Sequence, residues 1–126
     1  MKPLAVSLDD FSATAGMDGE VFRFTLKGNA DMRAQPALAD LVIAVHEEAR
    51  RLGVGEVVVS FRDLAFMNSH CFKGFVSWLC KLDQAPQAER YRVRFESNPR
   101  MHWQRRSLEA LARIAVDLVS VDVVAA

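Results

Sequence analysis

Four consecutive residues hold much of the reactive chemistry in this chain: Asn68, Ser69, His70 and Cys71, an amide, a hydroxyl, an imidazole and a thiol. A thiol nucleophile needs its thiolate populated, and a base within hydrogen-bond reach that a third group orients. Cys71 stands where a helix N-terminus could lower its pKa. Adjacent residues on a helix project about 100° apart, however, so His70 is poorly placed to act as its base. His46 and His102 approach only if the fold brings them. A small buried hydrophobe is the better reading of Cys71, and no catalytic residue is assigned.

Other chemistries fare no better. His46, His70, Cys71, Cys80 and His102 show no CxxC, HxxxH or HExxH spacing, so no metal site is expected. No glycine-rich loop follows a strand; Gly53 and Gly55 read as a helix stop and a turn, and Asp9-Asp10 lies in a weakly patterned segment. The chain reads as a non-enzyme without a cofactor. One bias remains between Glu89 and Arg106: six arginines against two glutamates, a local balance of +4. Guanidinium forks suit oxyanions, so Arg100, Arg105 and Arg106 are candidate anion ligands, against the plainer reading of a solvated strand edge and helix start. Trp103 alone is too little aromatic surface for single-stranded nucleic acid.

The elements that must position these residues follow from periodicity. Leu4 to Leu8 could form a short edge strand. Asp18-Gly19 signals a tight turn, and Phe22, Phe24 and Leu26 then alternate on one face of a strand that ends at Gly28-Asn29. Pro36 suits a first helical turn. Leu38, Leu41, Val42, Val45, Ala49 and Leu52 trace an apolar stripe, stopped by Gly53. Val57-Val58-Val59 is apolar on both faces, as a strand covered by helices would be. Phe72, Phe75, Val76 and Leu79 stripe a second helix, with Lys73, Ser77 and Lys81 facing water and Trp78 at the stripe's margin. Tyr91 to Phe95 alternates as a strand, Leu108, Leu111, Ala112 and Ala115 mark a third helix, and Leu118 to Val124 adds a last short strand. Strand–helix alternation implies βαβ units. The expected fold is α/β, a mixed sheet of four or five strands with helices mostly on one face, in a single domain spanning residues 1–126.

Composition agrees. The 126 residues are 51% hydrophobic and 25% charged, with 16 basic and 16 acidic side chains, so no net field favours nucleic acid or an anionic membrane. No apolar run reaches the ~20 residues of a membrane span, and Met1-Lys2-Pro3-Leu4 does not open a secretory leader. Cys71 and Cys80, nine residues apart on one helix, point away from each other and cannot pair. Reduced thiols and a cytoplasmic location are expected.

The stretch from Val21 to Leu82 resembles the STAS domain of anti-sigma factor antagonists. "VFRFTLKGNADMRAQPAL" is similar to that family's strand–turn–helix opening, with Gly28 and Asp31 at its Gly-x-x-Asp positions. In "VVVSFRDLAFMNSHCFKGF", Asp63, Leu64, Phe66, Met67 and Ser69 match the family's core pattern, whereas Asn68, His70 and Cys71 depart from its Asp, small residue and Gly. The resemblance implies a signalling module that binds a regulatory protein, either an anti-sigma kinase or another sigma-control component, in transcription regulation. It implies Ser69 as the phosphoacceptor. The expected contact surface joins Asn68, Ser69, His70 and Cys71 to Lys73, Ser77 and Trp78, with Asn29 and Asp31 at the same end of the sheet. Capping competes with this, since Asn and Ser are both favoured N-caps. The alternative is a small-anion or nucleotide sensor that pairs the tip with the arginines of residues 100–106. The oligomeric state is left open.

Overall fold

The computed structural model describes residues 4–124; the Met1-Lys2-Pro3 opening and the last two positions of the expected domain lie outside that range. The strands are β1 (Leu4–Ser7), β2 (Phe11–Asp18), β3 (Val21–Ala30), β4 (Glu56–Met67), β5 (Arg92–Ser97) and β6 (Val119–Val123). Helix α1 (Gln35–Leu52) follows β3, α2 (Ser69–Gln84) follows β4 and α3 (His102–Ala112) follows β5, with a short 3-10 turn at Gln87–Glu89. The sheet therefore has six strands, not four or five. The strand missing from the sequence reading is β2, which pairs antiparallel with both β1 and β3.

Strand order in the sheet equals order in the chain. From β3 onward every pair is parallel, so crossovers of one hand all advance in one direction and deliver their helices to one face. A single core results, in which Phe22, Phe24, Val57, Val59, Val93 and Phe95 meet buried residues from all three helices. Phe61 and Phe75 cross at 5.5 Å between ring centroids, and Phe61 meets Phe95 at the same distance. Edge-to-face rings of this kind add roughly 1 kcal/mol per pair beyond burial.

Helix α1 forms as its stripe predicts: Leu38, Leu41, Val42, Val45 and Ala49 are buried. Gly53 closes it at φ 65°, returning its N–H to Ala49 and Arg50. Leu52 is exposed instead. In α2 the buried stripe is Cys71, Phe75, Trp78, Leu79 and Leu82, so the helix is turned slightly from the expected axis, and Phe72 and Val76 are only half-buried. A second correction concerns Val58. It is buried, yet it faces the side without helices, where its register partners Arg23 and Arg94 flank it. Arg23 pairs with Glu96 at 2.9 Å, and Arg94 with Glu56 and Asp122 at 3.1 and 3.0 Å. The long arginine stems cover the valine that the sequence reading gave to a helix.

Candidate functional site

Strand β4 carries the reactive tip, and its two halves are built differently. Glu56 to Ser60 pair on both sides, with β3 and with β5. Beyond Ser60 the β5 ladder ends, while the β3 ladder continues through register shifts after Thr25 and Gly28. Gly28 is required there. Its φ is 91°, and a Cβ would lie 2.0 Å from the carbonyl oxygen of Asp10. Asn29 then faces Phe66 and Ala30 faces Met67, which brings the ends of β3 and β4 to the same edge of the sheet, with Asn68 N–H donating to Ala30 O at 2.9 Å.

The other flank of the β4 end, abandoned by β5, presents carbonyls with no strand to receive. Residues from the segment leading into α3 answer them. Gln104 Nε2 donates to Phe61 O and Leu64 O at 2.6 and 2.9 Å, Asn98 Nδ2 to Arg62 O at 2.9 Å, and Trp103 Nε1 to Ala65 O at 2.8 Å. Gln104 Oε1 accepts the Asn98 N–H at 2.8 Å, which locks the clamp to itself. Gln104 is fully buried. A buried polar side chain left unpaired is strongly destabilising, so this one makes sense only as a satisfied network. Sequence reasoning saw charge in this segment, weighed Trp103 only as an aromatic surface, and missed the clamp that these three residues make. Nothing in their types or spacing marks them, because their partners are backbone carbonyls about 40 positions away.

The tip opens α2. Asn68 is its N-cap, in extended conformation, with the side-chain oxygen accepting the Cys71 N–H at 2.9 Å. Ser69 is the first helical residue and is exposed, as are His70, Lys73 and Ser77. Cap and hydroxyl are thus separate residues. Two apolar side chains at the same edge are exposed as well, Phe66 at 46% and Met32 at 60%. Asn29 is exposed, and Asp31 is half-buried with its carboxylate held by Arg33 through the backbone N–H at 2.9 Å and the guanidinium at 3.1 Å. The Arg33 contact keeps the Asp31 carboxyl below the usual carboxylate range. Together with Ser7 to Phe11, they line a notch of about 260 Å³.

Two residues expected on the contact surface are not on it. Cys71 is buried beneath the tip, its Sγ 3.7 Å from the Asp31 carbonyl oxygen. Burial, and then the Asp31 charge, push its thiol up to about 11, the reverse of an activated nucleophile. Trp78 is buried too, because its indole N–H finds the Tyr91 hydroxyl at 2.7 Å. That hydroxyl in turn meets His46 Nδ1 at 2.7 Å. Of the arginines, Arg105 lines a groove of about 710 Å³ formed from β5, α3 and β6, pairs with Glu109 at 3.4 Å, and shares that groove with none of residues 68–71. Arg100 and Arg106 are exposed. Among the described residues, no three His, Cys, Asp or Glu side chains gather to hold a metal ion, and no helix is long and apolar enough to cross a membrane.

The topology and the helix-opening serine at the sheet's rim can be set beside known structures. A crystal structure of an anti-sigma factor antagonist from Mycobacterium paratuberculosis superposes with a TM-score of 0.62, covering 85% of this chain and 84% of that one. The fold is STAS-like. The two sequences are 15% identical, so the likeness is one of fold alone. No family model matches the sequence, and no curated protein matches it.

Proposed function

We propose that this chain is a non-catalytic signalling module, which docks a regulatory protein through the rim formed by Asn29, Asp31, Asn68, Ser69 and His70, with Lys73 and Ser77 continuing the surface along α2. Ser69 is its phosphoacceptor. The observation that carries this reading is the division of labour at the tip. Asn68 supplies the cap, so the exposed Ser69 hydroxyl is not consumed by folding. A phosphate there would add about −1.5 to −2 charge beside free helix N–H groups, which accept it locally, while repelling an acidic or apolar partner. Phe66 and Met32 give that partner an apolar anchor of the kind that dominates interface energy. The raised Cys71 thiol argues against thiolate chemistry at the same place.

The partner's chemistry is that of a regulatory kinase or sigma-control component, in line with the superposed antagonist. The test is purification of the tagged chain from its own cells, with mass spectrometry of both chain and co-eluting proteins. Phosphate on Ser69 together with a kinase in the eluate is the expected result. With that partner in hand, Ser69→Asp should weaken binding about tenfold or more, as truncation or charging of a central contact does. Unchanged affinity overturns the switch.

A further inference from the structure

A second feature lies between α1 and α2, away from the strand ends. Ile43 and His46 from α1 and Gly74, Ser77, Trp78 and Lys81 from α2 line a mostly apolar groove of about 320 Å³, within the size range of small-molecule sites. Gly74 is the odd residue. Glycine inside a helix destabilises it relative to alanine, and it is normally tolerated where another backbone comes close. Here a Cβ would meet nothing within 4 Å. The missing side chain relieves no clash; what it does is leave the groove open.

The polar groups in the groove are set by their neighbours. The Trp78 indole can only donate, so the Tyr91 oxygen accepts it, and the same oxygen lies within hydrogen-bond distance of His46 Nδ1. In the tautomer where Tyr91 donates to Nδ1, His46 carries its hydrogen on Nε2 and is a donor. Burial lowers its pKa, with the charges of Arg50 and Lys81 acting in the same direction and those of Glu47 and Glu89 opposing. Lys81, exposed at the groove's end, adds a cation. Among the lining residues there is no acid.

We propose that the groove between α1 and α2 binds a small hydrophobic anion, its apolar body over Gly74 between Ile43 and Trp78 and its carboxylate at Lys81 and His46. Charge complementarity selects the head, and the open glycine selects the body. The groove shares Ser77 with the docking surface's extension along α2 but none of Asn29, Asp31, Asn68, Ser69 and His70, so the naphthoate titration and the Ser69 test fail independently.

The experiment is titration of the ¹⁵N-labelled chain with 2-naphthoate and, separately, with its neutral isostere 2-naphthamide. Saturable shifts at Ile43, Gly74 and Ser77 are expected, with a Kd of about 1 mM or tighter, as ligand-efficiency norms give a probe of this size. The amide should bind about fivefold more weakly, and Lys81→Met should remove that difference while leaving the amide spectrum folded. Gly74→Met, its fold checked by the same spectrum, should abolish binding of both probes; should that variant unfold, the Lys81→Met comparison decides. Absence of saturable shifts, shifts centred elsewhere, or equal binding of naphthoate and naphthamide overturns the proposal.

Discussion

The two sides of the β4 terminus use polar residues in opposite ways. Behind it, Asn98, Trp103 and Gln104 each donate from the side chain to backbone carbonyls, and Asn98 and Gln104 are buried. In front of it, one residue, Asn68, makes the structural bond, and the next, Ser69, stands in water. Groups that hold the shape are buried and satisfied; the Ser69 hydroxyl is left over. The rear clamp fixes the strand so that the front residue is presented in one place.

The sharpest way to break this contrast is Gln104→Leu. It strands the Phe61 and Leu64 carbonyls and the Asn98 N–H at once, and at about 1–3 kcal/mol per orphaned buried group should destabilise the fold by roughly 3 kcal/mol or more in urea titration. A loss below about 1 kcal/mol would mean that the clamp is ornamental. Asn68→Ala should cost about 1 kcal/mol, the usual worth of an N-cap. Ser69→Ala should change stability by less than about 0.5 kcal/mol, as surface substitutions do; a larger loss would show Ser69 to be structural and undo the division of labour. The smallest effect concerns the tip's underside. The Cys71 thiol sits near 11 in the fold against an ordinary 9.0, so the unfolded chain loses this proton first as pH rises. Its contribution to stability is present below pH 9 and lost between pH 9 and about 11. Iodoacetamide should accordingly leave Cys71 unmodified at pH 8 in the folded protein, and fast labelling there would show that the site opens.

Residues explain why the front was more legible than the back. Leu38 to Ala49 recur at helical spacing, and any window across them reports a buried stripe. Asn68 and Gly53 work through bonds to residues three or four positions away, a range within which sequence types are informative. Strand β2 escaped because "FSATAGMD" places only Phe11 and Ala13 in the core. Small residues carry little alternation signal, and pairing with both neighbours makes this segment a strand. Trp78 and Gln104 escaped for a longer-range reason: an indole finds a tyrosine from another element, and an amide finds carbonyls across the molecule. Six strands in place of four or five, and a Val58 sheltered by arginines, follow from the same kind of distant pairing.

The uncovered side of the sheet bears on how a protein could approach. Its cations at Arg23 and Arg94 already sit against Glu96, Glu56 and Asp122, so an arriving surface would have to undo matched ions before it formed any of its own. Those ion pairs hold the two arginines over Val58 rather than leaving them free for an acidic visitor. On the docking proposal, choice of companion then falls to the ends of the strands, a few side chains wide, where one added phosphate could change the answer.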